Sequence, residues 1–505
     1  MLQTQRALSG ILCFLARNWL ICAALLAGLA LRLVTMLGFP PAIWFAGDSI
    51  SYVTSALNGS PGISRESGYS VLLMALHPMH SFAVVTGFQH LLGLAMGMMI
   101  YALLRHRGLA RWGAALAALP ILLDAYQIQL EQEVLPDVLF TFLVVAAVTL
   151  YGWWRDDTRP PWASAAGAAL LGAAAACWPV GLPLLVLALA VAVIRRAGWR
   201  SVTAAVLAGA VPLAMYLAWF DAHHHRIAFN SSSGVFLWSR TMTFADCAVI
   251  RPPADERPLC PDKAIGDRQA ASLWIWQKHT PIANMTPKFS VRTNTLAGDF
   301  AKRAILAQPG GYLRAVLDGF ALSFTWNRAP HPNKLMSERY QFTLATRDWD
   351  HGAKRTAAIV RVQRGYTGGH LAFTSAVRPF STFMIGYQRG MYLRGTMTGV
   401  LLLLGLAGIA RWLRASGWRR RRDWGGPALL PWLAGLAVLL VPVMTADFSL
   451  RYVVPAVPVI TLAAAMAFLR PAPRRAPSPV PPWPAGGSLA GQEQPASTGS
   501  LPARA

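Results

Sequence analysis

Apolar runs of bilayer-crossing length recur along this chain, and no other feature limits its fold as much. A transmembrane helix needs roughly 17 to 25 apolar residues. Such runs fall at 17–38, 82–104, 112–126, 134–154, 162–179, 180–195, 201–220, 391–413, 427–446 and 452–469. They predict an all-α polytopic membrane protein with about ten transmembrane helices. The charge content agrees: 13% of the 505 residues are charged, about half the share found in an average soluble domain. The first run, Leu20 to Leu37, is too long for a cleaved signal peptide and reads as a retained span.

Basic residues occupy alternate connections between the runs. Arg105, Arg107 and Arg111 follow the second, Arg155 and Arg159 the fourth, and Arg195, Arg196 and Arg200 the sixth. Arg411, Arg414 and Arg419 to Arg422 follow the eighth, and Arg470, Arg474 and Arg475 the tenth. The positive-inside rule makes these connections, and both termini, cytoplasmic. It places 39–81, 127–133, the turn near 180, 221–390 and 447–451 outside. The net charge of +24 is therefore read as orientation and headgroup contact; no nucleic-acid motif accompanies it. Four parts follow. Residues 1–220 form a seven-span catalytic module with the first outer loop at 39–81, and 221–390 form an extracytoplasmic domain. Residues 391–469 form a three-span module, and 470–505, rich in Pro, Gly, Ala and Ser, a disordered cytoplasmic tail.

Ionisable groups near a membrane are costly and therefore informative. Three outer connections collect them. Asp48, Arg65 and Glu66 lie in the first; Asp124, Glu131, Glu133 and Asp137 lie around the third and fourth spans; Asp447 and Arg451 lie between the ninth and tenth. Glu133 and Asp137 are four apart, as are Gln127 and Glu131, so each pair shares a helical face, and one or two of Glu131, Glu133 and Asp137 are expected to line a cavity. Guanidinium groups beside carboxylates at the lipid boundary suit one chemistry. A lipid-linked phosphosugar presents its phosphate at headgroup depth, where an arginine fork neutralises it. A carboxylate there takes a proton from an acceptor hydroxyl. Gly47 would let the backbone bend ahead of Asp48; Tyr52 shares the face of Asp48 if a short helix starts there.

Four segments carry a family resemblance: G-D-S-I-S-Y at 47–52, R-E-S-G-Y-S-V-L-L at 65–73, L-D-A-Y-Q-I-Q-L-E-Q-E-V-L-P-D-V-L-F at 123–140 and R-Y-V-V-P at 451–455. In this order and on this side of the membrane they resemble the GT-C superfamily of polyprenyl-phosphate-sugar-dependent membrane glycosyltransferases. That group includes the protein O-mannosyltransferases and the aminoarabinose transferases. F-A-D-C at 244–247 and L-C-P at 259–261 are similar to an outer loop of a bacterial subgroup. The resemblance implies a GT-C-like fold in a bacterial plasma membrane, with a polyprenyl-phosphate-sugar donor and an extracytoplasmic protein, lipid or glycan acceptor. It implies Asp48 as general base, and Tyr52, Arg65, Glu66, Tyr69, Glu131, Glu133, Asp137, Arg451 and Tyr452 as substrate-binding residues. The chain departs from the pattern at Ser67 and Ser70, where prolines are usual. Ser49 replaces the second acid, so no acidic pair supports a divalent metal, and no cofactor is assigned.

Cys247 and Cys260 are the cysteines outside the apolar segments, and an oxidising outer compartment allows them to pair. His223 to His225 point in different directions along any regular backbone and make a poor metal site. Asp156 and Asp157 fall among cytoplasmic arginines and read as a solvated loop. Two other classes compete: a transporter or lipid flippase, and a non-catalytic envelope scaffold. Transporters concentrate charge near the bilayer midplane, whereas the acids here gather at one face.

Overall fold

The computed structural model describes residues 16–154, 158–328, 330–344, 353–416 and 424–469. The tail 470–505 and the Asp156–Asp157 pair lie outside the described residues. In chain order the principal helices are α1 (Trp19–Gly38), α2 (Ala46–Asn58), α3 (Gly68–Leu76), α4 (Phe82–His106), α5 (Arg111–Leu123) and α6 (Ala125–Gln132). α7 (Asp137–Trp153), α8 (Pro161–Cys177), α9 (Gly181–Ile194) and α10 (Trp199–His224) follow. The long segment after α10, outer in the predicted orientation, holds α11 (Ser233–Thr241), α12 (Val291–Ala307), α13 (Pro309–Ala321), α14 (Ala353–Thr367) and α15 (Phe380–Tyr387). The described chain closes with α16 (Gly395–Ser416), α17 (Leu429–Thr445) and α18 (Leu450–Met466). Among the described residues the rest is loop, short helix and one isolated bridge between Ile43 and Glu133.

The chain is a multi-pass membrane protein. α1, α4, α10 and α16 are long and apolar enough to cross a bilayer, and α5 with α6, bent by 47°, form a fifth candidate. The other five predicted spans correspond to α7, α8, α9, α17 and α18, apolar helices of 10–17 residues. At 1.5 Å per residue these rise about 15–25 Å against a hydrocarbon core of about 30 Å. Hydropathy counts them as spans because helices enclosed by other helices are apolar on all sides; α7 and α18 are buried along most of their length.

α1 shows how a membrane helix distributes its residues. Ala24, Gly28, Arg32 and Thr35 face inward, while Leu26, Leu29, Leu33 and Leu37 are exposed. Small and polar residues permit close helix contact, and leucines meet lipid. The bend between α5 and α6 has a local cause. Asp124 Oδ1 accepts from the N–H groups of Tyr126 (2.8 Å) and Gln127 (3.3 Å), so it caps a new helix there. Its Oδ2 accepts from Leu393 N at 2.7 Å.

After α1 the chain passes through an extended strap, in which Ile43 N donates to Gln132 O (2.8 Å) and Val134 N to Ile43 O (3.1 Å). This sets the start of α2 beside the start of α7. Gly47 lies inside α2 rather than at a bend; the turn is made by the strap before it. Within the outer segment, Trp238, Trp274, Phe300 and Ile275 form a separate core, joined by the disulfide Cys247–Cys260. Asp447 ties this segment to the α17–α18 connection. It accepts from Ser272 N (2.8 Å) and meets His331 Nε2 at 2.9 Å. At the far ends of α7 and α9, arginines close neighbouring helices. Arg107 donates to Gly152 O at 2.6 Å, Arg159 to Tyr151 O at 2.6 Å and Arg195 to Trp424 O at 3.0 Å.

Candidate functional site

α2, the loop before α3, the start of α7 and the start of α18 meet at one point. Asp48, in the first turn of α2, bonds two arginines: its Oδ1 lies 2.7 Å from Arg65 Nη2, and its Oδ2 accepts from Arg451 Nη1 at 2.8 Å. Arg451 Nε in turn donates to Asp137 Oδ1 at 2.9 Å. The result is a four-member string, Arg65–Asp48–Arg451–Asp137, with zero net charge. Asp137 Oδ2 is buried and has no hydrogen-bond partner among the described residues. Burial works against the charge on Arg65, but Asp48 and the neighbouring Tyr52 and Tyr452 together hold its pKa above the ordinary value.

The string backs a cavity of about 520 Å³. Tyr52, Arg65, Glu66, Arg451 and Tyr452 line it; Asp48 and Asp137 stand behind the arginines. One wall is apolar: Trp178, Pro179 and Val180 of the α8–α9 turn, with Val441 and Pro442 of α17. Tyr452 belongs to this side, its ring 4.8 Å from Trp178. The facing wall is polar and includes Ser64, Asn230, Ser232, Asn294 and Lys302. Arg65 adjoins Glu66 on the polar side and Arg451 adjoins Tyr452 on the apolar side, so the two cations join the walls. Tyr52 stands within electrostatic reach of Arg65, Asp48, Arg451 and Glu66, and burial raises its pKa.

Three expected lining residues are elsewhere. Tyr69 packs edge-on beneath Tyr52, ring centroids 5.5 Å apart, and its hydroxyl donates to Gln89 Oε1 at 2.8 Å. Glu131 shares a helical face with Gln127, as expected, but that face turns into the bundle. Its Oε1 accepts from Arg32 Nη2 (2.8 Å) and Gln127 Nε2 (2.9 Å), and its Oε2 meets His90 Nδ1 at 2.8 Å. Glu133 is buried against Gln129 Nε2. Neither glutamate lines the cavity. The reason is Arg32, which lies in the middle of the first apolar run and draws Glu131 inward; read as one position in a plain span, it went unnoticed, as did His90. A charge within an apolar run is itself the signal that marks such a partner. Asn230 and Asn294 were not expected at the site; in the sequence Asn230 reads only as the start of an N-x-S/T triplet. Among the described residues no group of His, Cys, Asp and Glu is placed to hold a metal ion.

No protein-family model matches the sequence, and no curated protein matches it. Three solved structures are similar. The S. cerevisiae protein O-mannosyltransferase complex bound to the sugar donor is 17% identical over 45% of this chain and 36% of that chain, with a TM-score of 0.34. The Archaeoglobus fulgidus oligosaccharyltransferase in the apo form is 12% identical over 89% of this chain and 50% of that one, TM-score 0.39. The same enzyme tethered with an acceptor peptide is 12% identical over 90% and 50%, TM-score 0.38. The chain spans half or less of the length of each.

Proposed function

We infer that this protein is a membrane glycosyltransferase that moves a sugar from a lipid-phosphate donor to an acceptor hydroxyl on the extracytoplasmic side. One observation carries the reading: two inward-facing guanidiniums, held at a single carboxylate, join an apolar wall to a polar wall around one cavity. A lipid-linked phosphosugar has the same order of parts, an apolar chain, an anionic phosphate and a hydroxyl-rich ring. The sequence resemblance to polyprenyl-phosphate-sugar-dependent transferases supports the same donor class.

The steps follow from the charge string. In the free protein Asp48 neutralises both arginines, so neither is left as an uncompensated buried cation. The donor phosphate competes for the guanidiniums as a bidentate acceptor. As Arg65 and Arg451 turn to it, the Asp48 carboxylate loses its hydrogen-bond partners and is free to bond the acceptor. It then accepts the proton of the acceptor hydroxyl, whose oxygen attacks the anomeric carbon while the bond to the phosphate oxygen breaks. Configuration inverts, and the lipid phosphate departs with its charge held by the two arginines. Asp137 keeps Arg451 in place throughout.

Purified protein titrated with a short-chain prenyl phosphate and the matching prenyl alcohol tests the reading. The phosphate is expected to bind at least about tenfold more tightly, the scale of one charge-assisted hydrogen bond. Arg451→Ala removes that preference, and Arg451→Lys restores part of it, because a point charge survives without the fork. Equal binding of alcohol and phosphate sinks the proposal.

A further inference from the structure

Beyond the arginines, the polar wall carries hydrogen-bonding groups whose direction is set by their neighbours. Asn230 Oδ1 accepts from the backbone N–H groups of Ser232 (2.8 Å) and Ser233 (2.9 Å). Its amide nitrogen is therefore turned the other way, where it donates to Glu66 Oε1. Asn294 is fixed in the same manner. Its Oδ1 accepts from Gly234 N (2.8 Å) and Val235 N (3.3 Å), which leaves its NH2 as the group it offers to the cavity it lines. Gly234 permits this approach, since a Cβ there would lie 2.0 Å from Asn294 O.

Glu66 is 7% exposed. Its neighbour Arg65 is committed to Asp48, and among the described residues no cation forms an ion pair with Glu66. A buried carboxylate without a counter-ion is costly. Burial pushes Glu66 up to about 7, although bonds from its own backbone and from Asn230 work the other way. Lys302 and Asp299, on the same wall, pair with each other at 3.1 Å. The wall thus offers one fixed acceptor and one fixed donor, with its other charges balanced.

We propose that this wall is the donor's sugar subsite, taking a polyhydroxyl ring that carries no acidic group. Glu66 accepts from one hydroxyl and the Asn294 amide donates to another. The inference rests on the lipid-phosphate donor reading above. An acidic sugar would bring its carboxylate against Glu66, a like-charge contact.

The test uses the full chain in lipid nanodiscs at about pH 8, where Glu66 is mostly ionised. The ligands are a short-chain prenyl phosphate, bare or carrying a hexose or a hexuronic acid. The hexose form is expected to bind at least about tenfold more tightly than the bare phosphate. Glu66→Gln and Asn294→Asp should each lose about tenfold for the hexose form while holding the bare phosphate within about twofold. Asn294→Asp keeps the oxygen that caps α11, so it removes the donor without removing the cap. If both variants lose bare and hexose-bearing lipid equally, or lose neither, the subsite is overturned and the donor reading stands. If the unaltered protein binds no prenyl phosphate of any kind, both fall. Tighter binding of the acid form than of the hexose form overturns the exclusion of acidic rings.

Discussion

At the scale of single residues, the Arg65–Asp48–Arg451–Asp137 string separates binding from chemistry. Asp48→Asn removes the carboxylate that competes with phosphate for two guanidiniums, so donor binding should hold or tighten. Turnover should nevertheless fall about a hundredfold or more, the usual loss for a positioned base. Calorimetric titration beside a turnover assay reads both numbers, and near-normal turnover would exclude Asp48 as the base. Glu66 gives a pH prediction. Its pKa in the folded protein is raised to about 7 from an ordinary 4.5. The folded state therefore holds the proton more tightly than the unfolded chain does. Stability from this group is complete below its ordinary pKa and is lost as pH rises through about 7. The loss is on the order of 3 kcal/mol. Groups around it include Arg65, Asn230, Tyr216 and Cys177, so the useful quantity is a difference. The apparent melting temperature of the wild type should fall across that window relative to Glu66→Gln; parallel curves would show that Glu66 does not carry the dependence.

At the scale of elements, helix contacts fix where these side chains can stand. α3 sits against the end of α8 through Gly68, where a Cβ would lie 2.5 Å from the carbonyl carbon and oxygen of Ala176. Neither is a flexible tip that can yield, so Gly68→Ala should shift α3 and the loop carrying Arg65 and Glu66. Overpacking of this kind costs about 1–3 kcal/mol; weakened phosphate binding with the disulfide intact would locate the damage there, and unchanged binding would refute the positioning role of α3. α6 is held differently, by Glu131 against Arg32 of α1 and His90 of α4. Glu131→Gln leaves the Arg32 charge uncompensated, an effect of about 3–5 kcal/mol. Combining it with Arg32→Met should recover part of that loss in denaturant unfolding. These contacts mark the limit of sequence reading. Apolar runs located the ten long helices but not the shorter α2, α3 and α6, and the acids at the span ends pointed to Asp48 and Asp137. They could not show which acids face a cavity, because Glu131 is held by Arg32 and His90, 99 and 41 positions away in the chain, and Glu133 by local burial. Nor does hydropathy distinguish α7 or α18, wrapped by protein, from α1, wrapped by lipid.

At the scale of the whole molecule, the site depends on the outer segment closing over the membrane helices. Asn230, Asn294 and Lys302 reach the cavity from that segment, and Asp447 holds it through Ser272 and His331. Burial works to raise the Asp447 carboxyl, but the bond and charge of His331 and the bonds from Ser272 together hold it below the ordinary value. The core behind this wall, around Trp238, Trp274 and Phe300, contains the Cys247–Cys260 bond across 13 positions. On the chain-entropy model a loop of that size is stabilised by roughly 3 kcal/mol. Pro252, Pro253 and Pro258 lie within it and already restrict the unfolded chain, which lowers the gain. Reduction should therefore lower the melting temperature of this core and weaken recognition of the sugar, which uses Asn294, more than recognition of the phosphate, which uses Arg65 and Arg451. Differential alkylation of intact cells supplies the matching topological measurement. An impermeant thiol reagent is expected to label Cys247 and Cys260 only after reduction, as the predicted orientation and the Cys247–Cys260 bond require. Labelling without reductant would remove the bond. Labelling only by a reagent confined to the cytoplasm would invert the molecule, and with it the side on which the cavity opens and the source of the acceptor hydroxyl that Asp48 deprotonates.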